Sequence, residues 1–336
     1  MKAIVFDDFG GPAVLRLAEV PLPDIRPDDL LVKVRAAGVN RADILQREGV
    51  YGSQTYGDSS ILGLEVAGEV VAVGKSVRDY GVGNRVMGIV GGGAYAQYAR
   101  LDSGMAARIP ESLSFIEAAA IMESFVTGWE ALAHLGQVAK AETVLVHAAA
   151  GGIGSATVQL ARSAGASVLA TASDENVERV LSLGAAAVFD YRRSDFEAEV
   201  IDFTASRGVD LVIDFVGGAY LARNIRSLAP GGRLVQVGLL GGDGDAIIPL
   251  DIVLHKHLRI MGTVMKSRSR DVKRAMVDRF RQHVLPRLGG EIVPIVAATY
   301  PLAQAAEAQR RMETGGLFGK VVLDFRDPAP HGWLAH

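Results

Sequence analysis

Residues 144–173 read VLVHAAAGGIGSATVQLARSAGASVLATAS, and no other stretch constrains the fold as strongly. A short β-branched run, Thr143–His147, leads into Ala149-x-Gly151-x-x-Gly154. Ile153, Thr157, Leu160, Ala161 and Ala164 then share one helical face, Gly165 ends that helix, and Ser167–Ala172 is a second strand-like run. This is the Gly-x-Gly-x-x-Gly fingerprint with alanine in its first position. Small residues are needed there because the chain turns sharply, its backbone approaches a pyrophosphate, and the helix packs close on the strand. The helix start, over Ala150, Gly151, Gly152, Ile153 and Gly154, offers free N–H groups and partial positive charge to the phosphates. Taken alone, such a spacing equally describes a flexible turn. The complete strand–turn–helix–strand context selects the dinucleotide site.

The alternation continues to residue 264. Strand-like runs AAVFDY (186–191), VDLVIDFVG (209–217), RLVQVGL (233–239) and LRIMGTVM (258–265) are separated by helical patterns. Six strands fit a doubly wound parallel sheet with helices on both faces. The first ~120 residues differ: LLVKVRAAGV, LEVAGEVVAVG, NRVMGIV and AYAQYA are short runs separated by Gly, Pro and Asp, as in a β-barrel domain. Residues 271–288 form a basic helix-like stretch, GKVVLDF (319–325) is a last strand, and the tail DPAPHGWLAH has no periodicity. A chain of 336 residues fits two such domains.

Charge and cysteine content narrow the function classes. With 35 basic and 38 acidic residues the net charge is -3, which offers no basic excess for a nucleic-acid backbone. The absence of cysteine excludes disulfides, thiol nucleophiles and thiolate zinc sites. No uncharged apolar segment reaches the ~18 residues that span a bilayer, and MKAIVFDDFGG lacks the apolar core of a signal peptide. A soluble cytoplasmic protein is expected.

Further stretches carry a resemblance over essentially the whole chain: GVNRADILQREGVY (38–51), ILGLEVAGEVVAVG (61–74), GGGAYAQYA (91–99) and HAAAGGIGSATVQLA (147–161). With them the chain resembles the medium-chain dehydrogenase/reductase superfamily, and within it the zinc-independent quinone oxidoreductase family. NRAD with QREG-Y, LGAAA-FDY (183–191) and GL-GG (238–242) are similar to its tumour-suppressor-inducible type. The resemblance implies an α/β protein: a chaperonin-10-like β-barrel catalytic domain over 1–122 and 266–336, and a six-stranded parallel Rossmann domain over 123–265.

Zinc-dependent members of that superfamily carry Cys at the position of Asn40 and His in a Gly-His-Glu motif that here reads Gly63-Leu64-Glu65. No metal is therefore expected. His255 and His257 are too few for a site and read as a solvated stretch. Without a Lewis acid, the easier reaction is hydride addition to an already electrophilic acceptor, a quinone or conjugated enone. Tyr51 and Asn40 match family residues that line the acceptor pocket. Tyr51 would hydrogen-bond the acceptor oxygen or protonate it, and Asn40 would orient it. The local readings are a loop aromatic packed on the barrel and a turn residue. After Tyr51 the chain reads GSQTYGDSS where relatives have a proline-rich turn. Thr127 matches a threonine near the nicotinamide, and otherwise reads as a helix hydroxyl bonded to its own backbone. Val216 and Gly217 end the fourth strand and Gly238, Leu239 and Leu240 the fifth, where the fold places the nicotinamide end of the cofactor. His147 reads as a packed or backbone-bonded residue.

The stretch TASDEN (171–176) bears on the cofactor. Ala172 closes the second strand where NAD enzymes place an acid on the ribose diol, and it does not repel a 2′-phosphate. Ser173 can donate to that phosphate, and also reads as the N-cap of a helix beginning at Asp174. Tyr191 matches the tyrosine flanking the adenosine phosphate in relatives, and Asn176 stands where close relatives usually carry lysine. Arg192 and Arg193 are expected to supply the missing charge. The expected cofactor is NADPH, with a narrower margin over NADH than in a lysine-bearing relative. The alternatives are an enoyl-thioester reductase and, outside catalysis, an NADPH-binding sensor or scaffold with little turnover. LRIMGTVM at a sheet edge fits pairing across a two-fold axis, and the resemblance implies a homodimer or tetramer.

Overall fold

The computed structural model of the protein describes residues 1–50, 59–242 and 244–326. Two compact units divide the chain. The first takes Met1–Glu123, Val296–Gly315 and the chain from Lys320 onward; the second takes Ser124–Ile295 and Gly316–Gly319.

The first unit is β-rich. Strands β1 (Lys2–Val5) and β2 (Arg16–Glu19) form an antiparallel pair. β3 (Asp29–Val39) is the organising strand: it pairs with β4 (Glu65–Val73), β4 pairs with β5 (Arg85–Ile89), β6 (Tyr98–Asp102) pairs back on β3, and β7 (Ala106–Arg108) pairs with β5. Its hydrophobic residues Leu30, Val32, Val34, Ala36, Ala37 and Val39 are buried: from Leu30 to Val34 the even-numbered positions face the core, and from Ala36 to Val39 every position is covered.

The second unit holds six parallel strands, β8 (Thr143–Val146), β9 (Ser167–Ala172), β10 (Ala187–Asp190), β11 (Val209–Asp214), β12 (Leu228–Gln236) and β13 (Arg259–Gly262). Their order is β10-β9-β8-β11-β12-β13, so the winding reverses between β8 and β11. Every residue of β11 is buried, as expected of a parallel strand covered on both faces. Leu145, Leu169, Phe189, Phe196, Val200, Val212 and Leu234 make one face of the core. The chain then returns to the first unit with β14 (Val296–Pro301) and β15 (Lys320–Asp324), which adds antiparallel to β3.

That return comes later than the expected 266. Helix Arg270–His283 belongs to the second unit, where it buries Met276, Val277 and Phe280. Arg279 donates to Glu130 at 2.6 Å and His283 stacks on Trp129 at 5.6 Å. Its many charges read as a solvated face, but one apolar stripe and one ion pair suffice to dock it.

Arg47 shows how the first unit is tied across distance. Its guanidinium is fully buried, donating to Gly10 O (2.8 Å), Gln309 Oε1 (2.9 Å) and Glu313 Oε1 (2.6 Å). Removing the cation leaves its acceptors desolvated and unpaired. Arg47→Met is expected to lower the unfolding free energy by about 3–5 kcal/mol, measured by urea denaturation. A change within experimental error would contradict the role given to this residue.

Candidate active site

Strand β8 delivers the chain into a turn that only small residues can make. Ala148 adopts a left-handed φ of 48°, and Gly151 caps helix Gly152–Ser163 with extended backbone and no side-chain bond. At Gly154 a Cβ would stand 2.2 Å from Ala148 O and 2.8 Å from Ala149 Cα, so the helix sits on the strand end with no room for a side chain. The uncapped helix start leaves its first amides for an anion. Ala149 and Ala150 are buried behind the turn and Gly151 is exposed on it. The turn therefore fits a pyrophosphate. A distant segment lies beside it: Gly319 bridges Gly151, and its N–H donates to Ala150 O at 2.8 Å.

At the end of β9, Ser173 precedes a short 3-10 turn, Asp174–Asn176, in the N-cap position but without a side-chain capping bond. Asn176 is only 1% exposed; its Nδ2 donates to Ser173 Oγ (3.3 Å) and Leu317 O (3.4 Å), and its Oδ1 is buried without a partner. Its amide thus braces Ser173 against segment Gly316–Gly319. Tyr191 is exposed at the end of β10. Arg192 lies 3.4 Å from Glu175 and Arg193 3.2 Å from Asp174, both on the surface. Positive charge stands at this corner, each cation facing an acid. The Glu175 carboxyl lies below its ordinary range because its own backbone N–H and the Ser173 hydroxyl donate to it.

The ends of β11 and β12 are laced together. Asp214 Oδ1 accepts from the amides of Val216 (2.7 Å) and Gly217 (3.2 Å). Leu240 N donates to Phe215 O and Gly241 N to Val216 O, each at 2.9 Å, and Gln236 Nε2 donates to Gly238 O at 2.7 Å. Gly217 takes a φ of 70°, and a Cβ there would meet Leu239 at 2.6 Å. Val216, Gly217, Gly238, Leu239 and Leu240 therefore form one patch. Thr127 is buried on helix Met122–Trp129, whose Gly128 lies against Thr157.

In the first unit, Asn40 is part of a polar cluster. Lys320 Nζ donates to Asn40 Oδ1 (2.6 Å) and Val39 O (3.0 Å) and pairs with Glu65 Oε1 at 2.6 Å. Asn40 Nδ2 donates to the same Glu65 oxygen at 3.0 Å, and Glu65 Oε2 accepts from Glu123 N at 2.9 Å. The amide is thus locked between an ammonium and a buried carboxylate. Asp43, fully buried, accepts from Asn40 N (2.8 Å) and Tyr95 OH (2.9 Å), while its Oδ1 has no partner. Sequence reading missed Glu65, Lys320 and Asp43 as partners of Asn40, and Tyr95 as the partner of Asp43. Tyr51 lies outside the described residues.

Two family models match the chain: the alcohol dehydrogenase GroES-like domain over residues 26–111 and the zinc-binding dehydrogenase over 152–282. The human protein named quinone oxidoreductase is 32% identical, over 96% of this chain and 97% of its own length. This chain belongs to the quinone oxidoreductase family of medium-chain dehydrogenases/reductases. The quinone oxidoreductase of Coxiella burnetii shares the fold at a TM-score of 0.78 with 31% identity, covering 97% of this chain and 99% of that one. The CurK enoyl reductase does so at 0.85 with 26% identity, covering 96% and 98%. The two units are accordingly a GroES-like domain and a Rossmann domain, and the protein is an oxidoreductase of a family that binds a nicotinamide cofactor.

At the two positions where zinc-dependent members carry Cys and His stand Asn40, whose amide oxygen already accepts from an ammonium, and the alkyl Leu64. Among the described residues no three His, Asp or Glu side chains gather as a metal would require. A dinucleotide, by contrast, fits the uncapped helix start and the turn of small alanine and glycine residues.

Burial raises the Asp43 carboxyl from 3.8 to about 6. The folded protein therefore holds the Asp43 proton more tightly than the unfolded chain. The stability from this proton is full below pH about 4 and lost as pH rises through about 6. Between pH 5 and pH 8 the natural protein should lose about 1 kcal/mol relative to Asp43→Asn, read from paired urea denaturations. Parallel behaviour of the two proteins would contradict it.

Proposed function

We propose that this chain is an NADPH-dependent, metal-independent reductase that transfers a hydride to a quinone or conjugated enone. The observation that carries the reading is the corner at the end of β9. There Ala172 offers no carboxylate to a ribose diol, while Ser173, Tyr191 and Arg192 stand where a 2′-phosphate would be met. Bound NADPH supplies the hydride. The turn Ala150–Gly154 holds the pyrophosphate through backbone N–H groups. Val216, Gly217, Gly238, Leu239, Leu240 and Thr127 support the nicotinamide end, and Ser173, Asn176 and Tyr191 the adenosine end, with Asn176 acting through Ser173. The acceptor gains one hydride and one proton, the proton coming from water or Tyr51. Asn40, its amide locked by Lys320 and Glu65, presents a fixed dipole to orient the acceptor oxygen. A quinone or enone needs no Lewis acid, since conjugation makes it electrophilic. An enoyl thioester undergoes the same hydride addition, and the likeness to the CurK enoyl reductase keeps it as the second reading.

The reading extends to a cytoplasmic homodimer or tetramer. β13 ends its sheet, and Leu250, Leu254, Ile247 and Ile260 near it are exposed, which supports pairing with a second copy. No helix among the described residues is long and apolar enough to cross a membrane. A monomeric mass by light scattering would refute the assembly.

Oxidation of NADPH and NADH against quinones, enones and enoyl thioesters tests the reading. NADPH should be preferred, and Arg192→Ala should lower kcat/KM for NADPH by about tenfold while leaving NADH turnover unchanged. A preference for NADH in the natural protein, or turnover of enoyl thioesters alone, would overturn it.

A further inference from the structure

A buried hydrogen-bonded chain runs through the Rossmann unit, beginning and ending beside the cofactor strand ends. Thr171, on β9, stands 2.9 Å from His147 Nδ1. His147, at the end of β8, places Nε2 2.7 Å from Asn224 Oδ1. Asn224 Nδ2 donates to Asp214 Oδ2 at 3.0 Å. Asp214, the last residue of β11, accepts the Val216 amide on its other oxygen and the Gly217 amide on both. All four side chains are buried.

The acceptor at one end fixes every proton along the chain. The Asp214 carboxylate accepts, so Asn224 turns its Nδ2 to it and its Oδ1 to His147. His147 must then carry its proton on Nε2, which leaves Nδ1 to accept from the Thr171 hydroxyl. Burial pushes the imidazole below its ordinary range and keeps it neutral, as this order requires. Phe196 and Tyr220 close on the ring edge-on at 4.7 and 5.0 Å. An apolar set would fill this space without desolvating four polar groups. What the polar set provides, and an apolar one does not, is a rigid acceptor for two loop amides next to the left-handed Gly217.

We propose that His147, Asn224 and Asp214 are positioning residues, a one-directional relay that holds the Val216–Gly217 loop, and through it the nicotinamide half of the cofactor, in register with β8 and β9. The proposal rests on the reading that these strand ends hold the nicotinamide half.

Two measurements on Asn224→Leu, or on the milder Asn224→Ser should the first not fold, test the relay. One is amide exchange in the cofactor-free protein. The other is calorimetric binding of NADPH beside adenosine 2′,5′-diphosphate, which lacks the nicotinamide. Faster exchange at Val216 and Gly217, NADPH binding weakened about tenfold and unchanged adenosine-diphosphate binding are expected. Asp214→Leu should behave alike. Asp214→Asn should recover most of its loss, because a carboxamide there still accepts the loop amides and lets the relay run in reverse. Unchanged exchange, or equal weakening of both ligands, would overturn the relay. Faster exchange with unaltered NADPH affinity would instead overturn the placement of the nicotinamide half.

Discussion

The dinucleotide unit depends on the approach of one helix to one strand. Helix Gly152–Ser163 meets the end of β8 so closely that a single added carbon at Gly154 would lie 2.2 Å from a carbonyl oxygen. The contact aims the helix start, whose amides carry no side-chain cap. β8 lies at the centre of the sheet, between β9 and β11, so the ends of both neighbouring strands are referenced to it.

Both units hold polar groups in their cores and satisfy them in different ways. In the first, charge is opposed by charge: Lys320 against Glu65, with the Asn40 amide between them. In the second, neutral groups are strung toward a carboxylate, which ends on backbone amides. Each arrangement fixes a side chain or loop that an apolar core would leave with several orientations. Asp43 keeps one oxygen unpartnered, and its raised affinity for a proton follows from its burial.

Sequence and structure agree best where local pattern decides the outcome. SVLATA is β9 residue for residue, because a β-branched apolar run between a glycine stop and a cap leaves little choice. The glycine turn is legible for the same reason. Helix Arg270–His283 is legible as a helix but not by its unit, since the contact that assigns it, Arg279 to Glu130, spans 149 residues. Lys320 lies 280 residues from Asn40, and His147 77 from Asn224. No periodicity encodes such pairs. Asn176 stands where relatives carry lysine, which implies a place beside the cofactor; its burial against Ser173 depends on Leu317, a partner that only the folded chain supplies.

Segment Gly316–Gly319 has a consequence for how the molecule is made. It closes beside the glycine turn at Gly151, although more than 160 positions of chain separate the two. β3 likewise waits for β15. On a ribosome, the early barrel strands and the nucleotide sheet both emerge before the residues that complete them. Each must persist as a partly formed body until residues 316–324 are released. Release of that stretch thus finishes two structures at once, and without it neither would be complete.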